Sequence, residues 1–178
     1  MRIISGKYKG RKLEGFTIDG TRPTMDRVKE SLFGSIQNYL KDAYVLDLFA
    51  GSGSLGLEAL SNGAKEVYLI DNNNIAINTI NNNSKNMDGV NILKTDYQKY
   101  LKHCNKKFDI IFLDPPYDLN LINPSLELIK KYSLLNENGI IVCEYEKEQI
   151  NPIYNIIKEK KYSSTNIMIL KNVNNNVN

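Results

Sequence analysis

The stretch Asp47-Leu48-Phe49-Ala50-Gly51-Ser52-Gly53-Ser54-Leu55-Gly56 decides the fold of this 178-residue chain. It continues a short apolar run, and such a run bounded by polar residues is typical of a buried strand. Glycines at 51 and 53 lack a Cβ atom, so the backbone can turn sharply there and approach a ligand closely. The stretch therefore predicts a ligand-binding turn between a strand and a helix. By itself the glycine pattern also fits a dinucleotide site, or a tight turn without a ligand.

Outward from this turn, short apolar runs alternate with segments of helical periodicity. Buried strands linked by crossover helices are typical of a doubly wound, mostly parallel α/β sheet. We predict strands at Tyr44–Phe49, Val67–Asp71, Val90–Leu93, Phe108–Leu113 and Ile140–Tyr145, a closing strand at Ile167–Leu170 that is open to antiparallel pairing, and helices near 54–62, 73–86, 97–103, 121–131 and 149–160.

The residues before the first strand form two further predicted elements. Residues 1–20 alternate short apolar and basic positions around Gly6, Gly10 and Gly15, which predicts a small β-hairpin. Apolar residues recur at every fourth position from Val28 to Leu40 and predict a helix, with Thr24 as its N-cap. We expect a hairpin extension at 1–20, one domain at 21–171 and a disordered tail at 172–178.

Three carboxylates make the prediction of a ligand more specific. Asp47 lies inside an otherwise apolar strand, where a buried acid is costly unless a partner pairs with it. Asp71 ends the second strand, where an acid can accept both hydroxyls of a ribose, and Asp96 follows the third, where it could accept from an adenine amine. Each acid alone could instead cap a helix or a turn. As a set at the ligand-binding edge of an open α/β sheet, they favour a nucleoside cofactor.

The fourth strand leads into Asp114-Pro115-Pro116-Tyr117 at the same edge. The two prolines fix φ and predict a stiff bend that presents a carboxylate, backbone carbonyls and an aromatic ring. An alternative reading is a rigid turn with a packed tyrosine.

This proline corner, residues 114–117, suits the methylation of an exocyclic amine on a base. Such an amine is a poor nucleophile because its lone pair is delocalised into the ring. The Asp114 carboxylate and the Pro115 carbonyl can accept its two hydrogens and turn the lone pair toward a methyl sulfonium, while Tyr117 stacks on the base. The chemistry requires no metal, and it leaves open whether Asp114 also removes a proton.

The charge distribution indicates a polyanionic partner. Residues 1–30 contain eight Lys and Arg against four Asp and Glu, a net charge of +4, so the remainder carries 15 bases and 16 acids, or −1. Such asymmetry favours nucleic-acid binding, although a solvated hairpin face would show the same pattern. The candidate RNA-binding residues are Arg2, Lys7, Lys9, Arg11 and Lys12.

The remaining composition argues against several classes of protein. No apolar run approaches the roughly 20 residues that cross a bilayer, and the first residues lack the pattern of a signal peptide. Cys104, Cys143 and His103 show no metal-ligand spacing, so we expect neither a zinc site nor a Ser-His-Asp triad. A reduced, cytoplasmic setting and a monomer without membrane contact are the expectations.

Over nearly its whole length, the sequence resembles the RsmD-type bacterial 16S rRNA guanine-N2 methyltransferases. The resemblance rests on residues 1–13, on the block Thr21–Phe33 with its Arg-Pro-Thr-x-Asp-Arg-Val-Lys-Glu run, on Leu46–Leu60 and on Leu113–Tyr117. It implies a class I methyltransferase fold with S-adenosylmethionine as the donor. It also implies that the acceptor is a guanine N2 amine in 16S rRNA, within the small ribosomal subunit.

Carried over position by position, the resemblance implies that Asp114 to Tyr117 hold the guanine amine, and that Arg22 and Thr24 lie near the methionine end of the cofactor. To the acids and glycines predicted to bind the cofactor, we add several residues that adjoin them in the sequence. The catalytic candidates are Asp114, Pro115, Pro116 and Tyr117, and the cofactor-binding candidates are Arg22, Thr24, Asp47, Phe49, Gly51, Ser52, Gly53, Asp71, Asn72, Asp96 and Tyr97.

Three other functions remain open at this point. An adenine-N6 DNA or RNA methyltransferase uses a similar corner, but such DNA enzymes usually add a target-recognition domain for which 178 residues leave little room. An NAD(P)-dependent oxidoreductase shares the glycine pattern and leaves the proline corner unexplained. A catalytically silent RNA-binding protein with a retained cofactor pocket is the third.

Overall fold

The computed structural model describes residues 1–15, 23–151 and 153–173, with the backbone alone for Pro23 and Thr24. The elements follow one another as α1 (Pro23–Leu40), β1 (Tyr44–Asp47), α2 (Ser54–Ser61), β2 (Glu66–Asp71), α3 (Asn74–Asn83), β3 (Val90–Lys94), α4 (Tyr97–His103), β4 (Phe108–Leu113), a 3₁₀ turn (Tyr117–Leu119), α5 (Ile122–Lys131), β5 (Leu135–Tyr145), β6 (Asn155–Tyr162) and β7 (Thr165–Lys171).

The seven strands form one sheet in the order β3-β2-β1-β4-β5-β7-β6. The first five strands are parallel, and β7 lies antiparallel between β5 and β6. The predicted doubly wound, mostly parallel sheet is therefore confirmed, together with its antiparallel closing strand. Strand order reverses between β1 and β4, and the crevice at such a switch point is where open α/β sheets bind ligands.

Alternate residues of the central strands supply two hydrophobic cores, one on each face of the sheet. Val45 and Ile110 belong to the core under α1, α2 and α3, whereas their neighbours Leu46 and Ile111 belong to the core under α4 and α5. Burial of each such side chain contributes about 1.5–3 kcal/mol, which holds the strand ends in place around the switch point. Among the described residues, no helix is long and apolar enough to cross a membrane.

The amino-terminal hairpin is anchored to the helices by buried charges. Arg2 pairs with Lys12 in an antiparallel bridge, and the fully buried Ile3 joins the core. The Glu58 carboxylate on α2 accepts the backbone N–H of Ile4 at 2.9 Å and lies 3.1 Å from the Lys29 ammonium of α1. Because removal of one partner of a buried ion pair leaves an uncompensated charge, Lys29 and Glu58 make the hairpin an integral part of the fold.

Within residues 1–15 the predicted hairpin is present only as one isolated antiparallel bridge with flanking backbone hydrogen bonds, and it contains no regular strand. Residues 16–22 and 174–178 lie outside the described residues. The division of the chain into an extension at 1–20, a domain at 21–171 and a tail at 172–178 stays a prediction. The helix α1 begins at Pro23, so Thr24 lies inside it and not at its N-cap; proline is favoured at the first helical position.

The helix predicted at 149–160 is wrong. Residues 155–162 form β6, which is joined to β7 by a turn in which Ser163 has a left-handed φ of 54°. Ile150, Ile153 and Ile157 recur at helical spacing, but the hydrogen bonds of the β6–β7 hairpin prevail. Since β6 is a mostly exposed edge strand, its side chains do not show the alternation that reveals a half-buried strand.

Candidate active site

A cavity of about 1090 Å³ opens at the carboxyl ends of β1 to β4. Small-molecule sites usually measure 300–1,000 Å³, so this volume suits a nucleoside cofactor together with a second ligand. The cavity brings together most of the predicted residues, which are Asp47, Phe49, Gly51, Ser52, Asp71, Asn72, Asp96, Tyr97, Asp114, Pro115, Pro116 and Tyr117. Gly53 is not part of its wall, and Arg22 and the side chain of Thr24 lie outside the described residues.

The glycine turn joins β1 to α2 through left-handed backbone. Gly51 and Gly53 have φ values of 55° and 80°, a region that only glycine occupies without strain. A Cβ atom on Gly56 would lie 2.2 Å from a methyl group of Leu69, so the glycine lets α2 pack directly on β2. Gly53 therefore shapes the turn, and its carbonyl accepts the N–H of Leu57 at 2.9 Å.

The carboxylates of Asp71 and Asp96 accept hydrogen bonds from different parts of the protein. The oxygens of Asp71 accept the N–H groups of Gly51 and Asn73, each at 2.9 Å, and Asn73 rather than Asp71 caps α3. Asp96 caps α4, because its Oδ1 accepts the N–H of Gln98 at 2.9 Å. The helix-capping alternative is thus correct for Asp96 and wrong for Asp71, whose carboxylate instead holds the turn before α3 by accepting the Asn73 N–H. Both side chains also line the cavity.

Asp47 is a buried acid with an unsatisfied oxygen. Its side chain lies at the end of β1, the residue is 1% exposed, and Oδ2 accepts the Gly56 N–H at 3.1 Å. Within the described part of the chain, Oδ1 has no hydrogen-bond partner. Burial, with a smaller contribution from Asp71, raises the pKa of Asp47 to about 7. An unpaired carboxylate in a cavity wall is a site for a cation, because a cation would compensate the cost of burying the charge.

At the proline corner, the carboxyl groups of Asp114 and Glu144 lie close together. β4 and β5 pair with Leu113 opposite Cys143, so the next residues, Asp114 and Glu144, lie at neighbouring strand ends. The hydroxyl of Tyr117, which is 37% exposed, donates to Glu144 Oε1 at 3.1 Å. Burial first, and then Glu144, raises the pKa of Asp114 well above its usual range. Burial likewise raises the pKa of Glu144.

Comparison with known proteins agrees with this geometry. The family described as "Conserved hypothetical protein 95" matches residues 1–171. Ribosomal RNA small subunit methyltransferase D from Haemophilus influenzae is 38% identical over 170 residues, which are 90% of this chain and 88% of the relative. The chain belongs to the RsmD family.

A second curated relative and a solved structure support the same assignment. The small subunit methyltransferase D of Escherichia coli strain K12 is 35% identical over 83% of this chain and 76% of its own. The solved structure of yhhF from Escherichia coli superposes with a TM-score of 0.86 at 30% identity, over 97% of this chain and 99% of that one. The predicted family and the class I methyltransferase fold are confirmed.

In this RsmD-family protein, several cavity residues escaped the sequence analysis. They are Met1, Lys29, Glu144, Glu146 and the turn 162–165. Glu144 could have been found, because it interrupts an apolar strand as Asp47 does. The turn was hidden by the wrong helix at 149–160.

The basic candidates for RNA binding are spread along the hairpin and do not line the cavity of this RsmD-family protein. Arg2 lies 3.6 Å from the carboxylate of Asp26, a residue of the cavity wall. The backbone of Lys7 is hydrogen-bonded to Ser61 at the far end of α2, and an eight-residue helix is about 12 Å long. The candidates therefore extend from the cavity rim to a point about one helix length away.

The raised pKa of Asp47 predicts a pH-dependent change in stability. A carboxyl with a raised folded-state pKa stabilises the fold at low pH and loses that contribution as pH rises through about 7. Asp47→Asn has no group that ionises in this range, so its free energy of unfolding does not fall for this reason, and its side-chain oxygen still accepts the Gly56 N–H. Between pH 5 and pH 8, its free energy of unfolding relative to wild type is expected to rise by about 2–3 kcal/mol. Urea denaturation without added ligand measures this, with the exposed Asp88→Asn as the control; a pH-independent difference contradicts it.

Proposed function

We propose that the protein transfers a methyl group from S-adenosylmethionine to the exocyclic N2 amine of a guanine in 16S rRNA, within the small ribosomal subunit. The observation that carries this proposal is the shared cavity of the glycine turn and the proline corner. Relatives named small subunit methyltransferase D support the class of substrate.

The chain's own groups fit this cofactor. The unpaired oxygen of Asp47 suits the positive charge of its methionine end, and the carboxylate of Asp71 suits its ribose hydroxyls. Asp96 lies with Phe49 and Tyr97, whose rings are 5.2 Å apart, where an adenine ring can stack. A dinucleotide would instead bring a pyrophosphate toward the several carboxylates of the cavity wall, and this repulsion between like charges disfavours the oxidoreductase alternative.

The proline corner would act by positioning. The Asp114 carboxylate and the Pro115 carbonyl accept the two hydrogens of the amine, and Tyr117 stacks on the base. The donor supplies an electrophilic methyl carbon: the nitrogen lone pair forms the N–C bond while the S–C bond breaks and its electrons neutralise the sulfonium. The proton then leaves the nitrogen, and Asp114 is the nearest residue of the corner that can accept it.

An unpaired nucleotide is the easier target for such a site. A base inside a duplex would first have to be extruded to reach the strand ends, which costs its stacking and pairing energy. The exposed side chains of Met25 and Leu119 lie in the cavity wall and offer apolar contacts to an extruded base.

The proposal is tested with tritiated donor and small ribosomal subunits from a strain that lacks the protein. Digestion to nucleosides is expected to place the label in N2-methylguanosine. Label in N6-methyladenosine would favour the adenine alternative, and no transfer would favour a silent RNA-binding protein. A rise in melting temperature with S-adenosylmethionine but not with NAD(P) separates the methyltransferase from an oxidoreductase.

The hairpin lysines provide a prediction about RNA affinity. Replacing Lys7, Lys9 and Lys12 together with glutamine is expected to weaken subunit binding, because each lysine that contacts a phosphate releases counterions. The slope of log affinity against log salt is expected to fall in magnitude by about 2–3. Arg11 is kept, because its guanidinium donates to the carbonyl of Lys85.

The matched control carries the same loss of charge elsewhere, at exposed lysines near the ends of α4 and α5. Lys102, Lys107 and Lys131 are replaced by glutamine in that variant. Filter binding at several salt concentrations compares the two. Equal slopes for the hairpin and control variants would show that the hairpin lysines are solvated and do not contact the RNA.

A further inference from the structure

We infer that Glu144 reads the substrate base, by accepting the N1–H of guanine and thereby selecting guanine over bases that lack this donor. The inference rests on the proposed function, because it concerns the second polar position of the same base. It makes Glu144 a specificity-determining residue, in addition to the corner that holds the amine.

Geometry places the Glu144 carboxylate beside the amine site. Asp114 and Glu144 follow Leu113 and Cys143, which face each other on the parallel strands β4 and β5. Neighbouring strands lie about 4.8 Å apart, so two carboxylates at the ends of β4 and β5 can accept hydrogens from the edge of one base. Both carboxylates line the cavity, and the Tyr117 hydroxyl donates to Glu144 Oε1 at 3.1 Å.

The Tyr117 hydrogen bond leaves an acceptor for the base. It engages one oxygen of Glu144, and a carboxylate offers about four lone-pair positions on its two oxygens. The bond also holds the Glu144 side chain at the corner, where the aromatic ring of Tyr117 is proposed to stack. A base on that ring would present its edge to Asp114 and Glu144 together.

The donor pattern of the base edge explains the selection. Guanine carries the N2 amine and, directly beside it, N1–H, so two neighbouring donors meet two neighbouring carboxylates. Adenine carries its amine beside an unprotonated N1, whose lone pair would oppose the Glu144 carboxylate. A site built to accept a donor rejects an analogue that lacks it, because its own buried group is left unpaired.

A single base change tests the inference. Small subunits are reconstituted on 16S rRNA in which the mapped guanine is kept or is replaced by 2-aminopurine, which retains the 2-amine and lacks N1–H. Wild type is expected to prefer guanine by about 10²-fold in kcat/KM. Glu144→Gln is expected to reduce this preference to about threefold or less, mainly through a loss on guanine.

Two further variants isolate the role of Glu144. Glu146→Gln removes the next acid of the cavity wall, whose Oε1 accepts from Ser164 at 3.2 Å, and is expected to keep the wild-type preference. Tyr117→Phe keeps the ring and removes the hydrogen bond to Glu144, and is also expected to retain most of the preference. Affinity for S-adenosylmethionine is expected to be unchanged in Glu144→Gln.

The outcomes separate the two proposals. No methyl transfer to guanine by wild type would overturn the proposed function itself. Transfer to guanine with an unchanged preference in Glu144→Gln would overturn only the role of Glu144. Loss of the preference in Glu146→Gln to the same extent would show that removal of any acid from the cavity wall has this effect, and would likewise overturn base reading by Glu144.

Discussion

Replacement of Asp114 with alanine is expected to lower kcat for methyl transfer by about 10²–10³-fold, while the affinity for S-adenosylmethionine stays within about threefold of wild type. The effect is large because the carboxylate is proposed to hold a hydrogen of the amine during the reaction. Affinity is preserved because the glycine turn, Asp71 and Asp96 lie at the ends of other strands, β1, β2 and β3. Single-turnover kinetics and calorimetry measure the two quantities.

The same variant is not expected to be less stable. Burial raises the pKa of Asp114, so its charged form destabilises the folded state as pH rises above the usual carboxyl range. Asp114→Ala is therefore expected to melt at or above the wild-type temperature at pH 8. Asp118→Ala, at an exposed acid in the adjacent 3₁₀ turn, is the control for turnover. Near-normal turnover in Asp114→Ala would show that the proposed role is wrong.

Replacement of Asp71 with alanine is expected to weaken S-adenosylmethionine binding by about 10²-fold. The estimate corresponds to about 3 kcal/mol, the loss of two hydrogen bonds from ribose hydroxyls to a charged acceptor. The Gly51 N–H would also lose its partner, so the glycine turn would become less well ordered. Calorimetric titration gives the dissociation constant.

Asn73 offers a control that separates binding from helix capping. Its side chain caps α3 by accepting the N–H groups of Ile75 and Ala76. Asn73→Ala is expected to cost about 1 kcal/mol of stability and little affinity. If the Asp71 and Asn73 variants instead lost stability alike and kept their affinity, Asp71 would be a structural residue.

The parallel part of the fold could be predicted because its central strands, β1 and β4, are buried on both faces. The run Ile110–Leu113 is apolar throughout and ends at the polar Asp114, so the position of the strand follows from the sequence. The candidate site followed for the same reason, since a polar residue after a buried strand has to lie at the carboxyl edge of the sheet. Asp71, Asp96 and Asp114 all occupy such positions.

The rest of the fold, which the sequence did not predict, depends on contacts between segments that are distant in sequence. β6 is an edge strand whose exposed lysines and glutamate show no alternation, and its pairing with β7 decided its structure. The link of the hairpin to Glu58 spans more than fifty residues, and nothing in the local sequence pattern indicates that Glu58 and Lys29 form a buried ion pair. Glu144 was missed although an acid in an apolar strand is a readable signal.

The proposed mechanism requires the proline corner to face a methyl group held above the glycine turn. This arrangement would be visible in a crystal structure with S-adenosylmethionine bound. We expect the ribose hydroxyls to contact Asp71 and the sulfonium methyl to point toward Asp114 and Pro115. Density for the cofactor outside this cavity, or a methyl directed away from the corner, would contradict it.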